Sequence, residues 1–136
     1  MDIIANFIDG QYQAPRLQQY LDNIEPATGK VYGQIPDSSS DDVEIAVAAA
    51  TKALPAWRAL PLEIRADYLT AIAQEIEQRI DELALAEAID NGKPISLARS
   101  VDIPRAASNF KFFAHACSQF ASESHAMAGS AINYTL

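Results

Sequence analysis

The chain has 136 residues, and its 18 acidic residues against 10 Lys and Arg give a formal net charge of −8 at pH 7. This length fits one domain, and a hydrophobic content of 49% is enough for a core, which excludes a wholly disordered chain. The acidic balance argues against nucleic acid or an anionic membrane surface as a partner, because both attract clustered Lys and Arg.

The cysteine and targeting signals are sparse. Cys117 is the single cysteine, so an internal disulfide is impossible, and we expect a reducing, cytoplasmic location. The first residues lack the basic and apolar stretches of a signal peptide, and no apolar run is long enough to cross a membrane. One cysteine and two histidines are too few ligands for a structural zinc site.

Residues 1–36 predict two β-hairpins. Residues 6–8 and 11–13 flank Asp9 and Gly10, a pair that suits a type I′ turn. Residues 21–25 and 31–35 surround the turn sequence Pro-Ala-Thr-Gly.

Residues 41–123 predict three to four amphipathic helices. Asp41 is a candidate N-cap for the first helix, with Glu44 as its capping-box partner, and Pro55 is expected to end it near Leu54. The apolar residues of this helix share one face: Val43, Val47, Ala50, Leu54 and Trp57.

The second helix is predicted to start near Pro61, to restart at Asp81 after a bend, and to stop at Asn91 and Gly92. A third helical region, 95–123, contains Pro104, where we expect a break and a new helix. Its Phe-rich face is interpreted as core, with Cys117 as a buried, inert thiol.

The end of the chain predicts a loop at 127–130 and a strand at 131–136, where apolar and polar residues alternate. The fold class is therefore α+β and helix-rich, with N-terminal β-hairpins, amphipathic helices and a C-terminal strand. Because a domain rarely stops inside a strand, we expect this chain to be the first part of a longer one.

Few residues point to chemistry by pattern alone. The five glycines never adopt the spacing of a nucleotide-binding loop. Arg105 lies at the edge of an apolar helix face, where spacing favours a surface or ion-paired arginine. Asp90, near a predicted helix end, is interpreted as a carboxylate that bonds local backbone N–H groups.

Several segments, taken together, resemble the amino-terminal region of aldehyde dehydrogenases. They are residues 6–10, 24–29, 56–57 and 90–94. Residues 96–105 and 109–110 resemble a narrower branch, which oxidises 2-hydroxymuconate or 2-aminomuconate semialdehyde. Residues 131–136 resemble the strand that enters the family's oligomerisation arm.

The resemblance implies an NAD- or NADP-dependent oxidation of a muconate-type semialdehyde to its carboxylic acid, in aromatic or tryptophan catabolism. The family's catalytic Cys and general-base Glu lie beyond position 136, so no catalytic residue maps onto this chain. Cys117 is not at the place of the nucleophile. The isolated chain is therefore expected to be inactive and to bind no NAD.

Two partial sites are implied by the resemblance. The Asp90 carboxylate, with backbone carbonyls of Ile24 and Asn23, corresponds to part of a Na⁺ or K⁺ site. Arg105 and Val101 correspond to substrate-tunnel positions, and an arginine there suits a substrate that carries a carboxylate.

In the family these helices pack on a sheet that this chain lacks, so we expect their exposed apolar faces to drive association into a homo-oligomer, for which exchange of segments is one possible form. Two other classes of function stay open. One is a stand-alone helical interaction module without catalysis, and the other is a binding protein for dicarboxylates that uses Arg105.

Overall fold

The structure is a computed structural model that describes residues 2–135. The strands are β1 (Asp2–Ile3), β2 (Asn6–Ile8), β3 (Gln11–Gln13), β4 (Tyr20–Glu25), β5 (Lys30–Pro36), β6 (Ser124–Met127) and β7 (Ala131–Tyr134). The helices are α1 (Ser40–Ala59), α2 (Leu62–Gln78), α3 (Ile80–Asn91), α4 (Ile95–Leu97) and α5 (Ile103–Ser118), with a π-helical turn at Ala98–Asp102 between the last two. The predicted helix-rich α+β class is confirmed.

Both predicted N-terminal hairpins are present. Strands β2 and β3 pair around Asp9 and Gly10, whose φ angles of 52° and 77° are both positive, as a type I′ turn requires. Strands β4 and β5 pair antiparallel, and β1 adds a parallel third strand on the other side of β5. The sequence pattern does not indicate β1, because two residues are too few for an alternating pattern.

The predicted cap at Asp41 with Glu44 as its partner is wrong, because the N-cap lies two residues earlier and the capping-box partner is Asp42. Ser39 is the N-cap, and its N–H and Oγ–H both donate to Asp42 Oδ2 at 2.8 Å. The N–H of Arg16 donates to the other oxygen, Oδ1, at 2.9 Å. The Arg16 bond comes from a distant loop, so a tertiary contact adds to the local capping box at Asp42. The bonds from Arg16 and Ser39 hold the pKa of the Asp42 carboxyl below its usual range.

Pro55 does not end α1, which continues to Ala59. The last turn carries Trp57, whose ring lies 5.3 Å from that of Tyr68 on α2, centroid to centroid. Aromatic contacts of this kind stabilise by about 0.5–1.5 kcal/mol beyond burial, which helps to offset the backbone hydrogen bond that Pro55 cannot make.

Pro104 lies in the first turn of a new α-helix, α5, as predicted, but a π-helical turn stands before it in place of the expected break. The N–H of Ile103 bonds to the carbonyl of Ala98, five residues back, so the chain widens into a π turn just before the proline. A proline ring clashes with the carbonyl four residues earlier in a regular α-helix. The wider turn relieves that clash, and helix continues to Ser118 rather than to residue 123.

The closely packed core is built from alanines. Helix α2 packs along α5, with Ala66 and Ala73 on one helix and Ala107 and Ala114 on the other. Ala84 of α3 and Ala98 of the π turn are also buried. Small side chains let helix backbones approach closely, so the relative positions of α2, α3 and α5 are well defined.

The larger apolar side chains remain exposed. The predicted apolar face of α1 includes Val43, Val47, Leu54 and Trp57, and each is at least two-fifths exposed. Of the Phe-rich face interpreted as core, Phe110 and Cys117 are partly buried within this chain, whereas Phe112, Phe113 and, just beyond α5, Phe120 are exposed. Spacing reveals which residues share a face, but not whether another element covers it.

The chain ends in a hairpin of β6 and β7. The predicted strand at 131–136 begins at the expected residue and is seen to Tyr134, while position 136 lies outside the described residues. The predicted loop at 127–130 is shorter, because Met127 pairs with Ala131. Within residues 2–135, no helix has the length and apolarity needed to cross a bilayer.

The stop of α3 at Gly92 gives a prediction for stability. Gly92 has a φ of +76°, and a Cβ built there lies 3.0 Å from Pro26 Cβ, whereas Gly29 has a φ of +69° with no neighbour within 4 Å. An L side chain at positive φ costs about 1–2 kcal/mol. In urea denaturation we expect Gly29→Ala to show that loss alone and Gly92→Ala to exceed it; equal losses would contradict the close contact with Pro26.

Candidate functional site

The predicted site residues fall into two neighbouring regions. Asn23 and Ile24 lie on β4 and Asp90 lies in the last turn of α3, while Val101 lies in the π turn and Arg105 in the first turn of α5. An open groove of about 600 Å³ is lined by Asp90, Tyr32 and Ile103, so it reaches from the Asp90 region to the start of the helix that carries Arg105, although neither Arg105 nor Val101 lines it.

Two side chains of the N-terminal sheet, Tyr32 and Asn23, bind Asp90, and the three together form the Asp90 group. Tyr32 Oη donates to Asp90 Oδ1 at 2.6 Å, and Asn23 Nδ2 donates to the same oxygen at 3.0 Å. Asn23 Nδ2 also lies 2.7 Å from Tyr32 Oη, to which it donates. The structure therefore brings together two of the residues predicted from the sequence, and adds Tyr32.

A β-bulge explains how Tyr32 reaches Asp90. Asn23 pairs with Gly33 and Ile24 pairs with Val31, so Tyr32 has no opposite partner on β4. Bulges re-aim the side chain of the extra residue. Sequence alternation alone does not identify Tyr32, because a one-residue shift in strand register changes the face on which it lies.

The hydrogen bonds fix the charges of this group. Donation to Asp90 raises the pKa of Tyr32 to about 12, and the bonds from Tyr32 and then Asn23 lower the pKa of the Asp90 carboxyl. At neutral pH the group therefore contains one carboxylate and one neutral phenol. Only Oδ1 of Asp90 accepts hydrogen bonds from side chains in the described part of the chain, which leaves Oδ2 for another ligand.

Lys93 forms a second cluster, which the sequence pattern does not single out although Lys93 belongs to the 90–94 motif. Its Nζ lies 2.7 Å from Asp102 Oδ2 and 2.8 Å from Glu87 Oε1. The bonds to Asp102 and then Glu87 raise the pKa of Lys93 above its ordinary value. Lys93 thus connects the end of α3 to the last residue of the π turn.

Arg105 and Val101 are both exposed on this segment. Arg105 is exposed, and its guanidinium forms no hydrogen bond or ion pair with any residue in the range 2–135. Val101 is about half exposed. An unpaired guanidinium beside apolar surface suits a ligand that has a carboxylate next to a carbon chain.

No described residue is arranged for the chemistry of aldehyde oxidation. Cys117 has no side-chain hydrogen bond to a base within residues 2–135. The glycines with positive φ lie in hairpin turns or at the end of α3, and none lies in a loop that leads from a strand into a helix N-terminus. These residues therefore do not fit the phosphates of a dinucleotide, and none is assigned to NAD.

Comparison with known proteins shows the family to which this chain belongs. The model of the aldehyde dehydrogenase family matches residues 12–136. Human 2-aminomuconic semialdehyde dehydrogenase is 40% identical over 121 residues, and fluoroacetaldehyde dehydrogenase of Streptantibioticus cattleyicolor is 46% identical over 110 residues. These matches cover 89% and 80% of this chain, but only 24% and 22% of the relatives.

Solved structures agree with the sequence comparison. A crystal structure of PnpE in complex with nicotinamide adenine dinucleotide superposes with a TM-score of 0.91 at 31% identity, over 96% of this chain and 27% of PnpE. The chain belongs to the aldehyde dehydrogenase family, and it spans about a quarter of the length of the curated relatives it matches. The resemblance seen in the sequence motifs is confirmed.

The Asp90 group predicts a specific pH dependence. Since folding lowers the pKa of Asp90, its stabilisation is present above the unfolded-state pKa and is lost as pH falls through the folded-state value. Tyr32→Phe removes the principal donor, so the pKa of Asp90 should move up toward its ordinary value, and the loss of stability on acidification should become smaller. Carboxyl NMR titration and denaturation between about pH 2 and 5 measure both effects. Tyr12→Phe, at an exposed hairpin tyrosine, is the control and should change neither.

Proposed function

We propose that the protein containing this chain is an NAD-dependent aldehyde dehydrogenase whose substrate is an aldehyde that carries a carboxylate, of the muconate semialdehyde type. Its product is the corresponding acid, formed in aromatic or tryptophan catabolism. Membership of the family supports the reaction class, and the similarity to human 2-aminomuconic semialdehyde dehydrogenase supports the substrate class.

The observation that carries the substrate class is the unpaired guanidinium of Arg105. The guanidinium is exposed and has no partner in residues 2–135, so it is free to donate two parallel hydrogen bonds to the oxygens of a carboxylate ligand. Val101, in the preceding turn, would contact the carbon chain of the same substrate. In this proposal the residues described here recognise the aldehyde and do not react with it, so the isolated chain is inactive.

Replacement of Arg105 tests the substrate class. A hydrogen bond to a charged group contributes about 1.5–3 kcal/mol, so Arg105→Ala in the whole enzyme should raise KM for a carboxylated semialdehyde roughly 10- to 100-fold. KM for an uncharged aldehyde should not change. Arg99→Ala is the matched control, because Arg99 is an exposed arginine of the adjoining π turn that already pairs with Asp81. An equal KM for the carboxylated substrate in wild type and Arg105→Ala would refute the proposal.

A monovalent cation at Asp90 is a second part of the proposal. The free Oδ2 of Asp90 and backbone carbonyls of Ile24 and Asn23 are hard oxygen ligands, which suit Na⁺ or K⁺. The two donors on Oδ1 already compensate part of the carboxylate charge, so the cation would bind weakly. The ion would stabilise the junction between β4 and α3 and would take no part in the reaction.

A homo-oligomer is also proposed. The terminal hairpin exposes Met127, Ile132 and Tyr134, and exposed apolar groups of this kind mark contact surfaces. Exchange of this hairpin between copies would give the segment-swapped form. The cytoplasmic location stays a prediction from the single cysteine.

The hairpin can be tested directly. Ile132→Asp together with Tyr134→Asp should reduce the molar mass measured by light scattering at micromolar concentration, because burying two carboxylates in a subunit contact is costly. Ser124→Asp, on the same hairpin but at a polar exposed position, should leave the mass unchanged. A monomeric wild-type protein would contradict the oligomer.

The alternative function is a helical interaction module without catalysis. The exposed apolar face of α1 favours it, since that face would bind a partner helix or sheet. An assay of aldehyde oxidation by the whole protein distinguishes the interaction module from the enzyme. The module predicts no aldehyde oxidation by the whole protein with any aldehyde, whereas the enzyme predicts turnover that requires NAD.

A further inference from the structure

We infer that Lys93 is a positioning residue for substrate recognition, because it fixes the π turn at 98–102 and so sets the direction in which Arg105 projects. This inference rests on the proposed role of Arg105 in binding a carboxylated aldehyde. It concerns a residue that touches no substrate in the proposal and acts only through the helix that carries Arg105.

The geometry places Lys93 at the junction of three segments. It directly follows Gly92, where α3 ends, and its ammonium bridges Glu87 of α3 at 2.8 Å and Asp102 of the π turn at 2.7 Å. The side chains are 27% exposed for Lys93, 35% for Glu87 and 33% for Asp102. A partly buried ammonium between two carboxylates holds both, and without it the carboxylates would repel each other.

The π turn needs such support. It widens the helix by one residue, with the N–H of Ile103 bonded to the carbonyl of Ala98, and this bonding pattern is rare because its geometry is poorer than that of an α-helix. If the register slipped by one residue, every side chain beyond the turn would rotate by about 100° around the helix axis. Arg105, three residues past the turn, would then face a different direction.

Within residues 2–135, Arg105 has no side-chain hydrogen bond or ion pair that would resist this rotation. Its guanidinium is without a partner in residues 2–135, so its direction depends on the backbone that carries it. Ala98, the first residue of the turn, is buried beside α3, and Asp102, the last, is held by Lys93. The packing fixes one end of the turn and the ion pair fixes the other.

A nearby ion pair offers a matched comparison. Arg99 of the same π turn pairs with Asp81 of α3 at 2.6 Å, but these side chains are 62% and 74% exposed. Exposed pairs contribute little, because water screens them and their long side chains lose entropy. The Arg99–Asp81 pair connects the same elements as the Lys93–Asp102 pair, yet we expect only the latter to control the turn.

The experiment uses the whole enzyme and two aldehydes, one semialdehyde with a carboxylate and one uncharged aldehyde of similar length. Lys93→Met and Asp102→Asn should each raise KM for the carboxylated substrate about tenfold and leave kcat within about twofold, with no change for the uncharged aldehyde. Lys93→Arg, which keeps the charge, should restore most of the affinity. Asp81→Asn should change neither KM, and the double variant of Lys93 and Asp102 should be no worse than either single variant.

The outcomes separate the two proposals. If Arg105→Ala has no selective effect, the proposed substrate class fails. If Arg105→Ala is selective but Lys93→Met and Asp102→Asn are not, or if they weaken both aldehydes equally, the positioning role of Lys93 is wrong while the substrate class stands. If Lys93→Met does not fold, Asp102→Asn decides, because it keeps the pair between Lys93 and Glu87.

Discussion

The arrangement of the candidate site depends on the left-handed turn at Gly92. This residue ends α3 with a φ of +76° and lies against Pro26, so that the residues on either side of it point to different parts of the fold. Asp90, just before the turn, is bound by Tyr32 and Asn23 of the sheet. Lys93, just after it, is bound to Asp102 of the π turn. One short segment thus joins the sheet, α3 and the helix that carries Arg105.

Two polar groups, one around Asp90 and one around Lys93, hold this junction together. The Asp90 group uses hydrogen bonds to a single carboxylate oxygen, and the Lys93 group uses an ammonium shared by two carboxylates. Both are partly accessible to water, so neither contributes stability on the scale of a buried core. They connect the end of α3 to β4 and β5 on one side of Gly92 and to the π turn on the other.

Local chemistry made part of this fold predictable. The hairpin around Asp9 and Gly10 follows from two residues that accept positive φ, and the end of α3 follows from Asn91 and Gly92. Features decided by distant contacts were not predictable. Ser39 rather than Asp41 caps α1, with Asp42 as its capping-box partner and Arg16 bonded to Asp42 from a distant loop. Helix α1 continues past Pro55 to a turn in which Trp57 meets Tyr68.

In the candidate site, too, local motifs indicated some residues, and contacts distant in sequence determined the others. Asn23, Ile24, Asp90, Val101 and Arg105 were indicated by motifs, and the structure places Asn23 and Asp90 within hydrogen-bond distance. Tyr32 was not indicated, because a bulge in β5 sets its direction. Lys93 was within a motif, but its partner Asp102 lies in a π turn that no sequence periodicity announces. The roles in cation and substrate binding stay predictions.

A crystal structure of the whole enzyme with a muconate-type dicarboxylate bound would test most directly whether Arg105 recognises the substrate. We expect guanidinium nitrogens of Arg105 to lie about 2.7–2.9 Å from both oxygens of one carboxylate of the ligand. We also expect Lys93 to remain paired with Asp102. A ligand carboxylate bound elsewhere, with Arg105 still directed to solvent, would show that Arg105 does not bind the substrate.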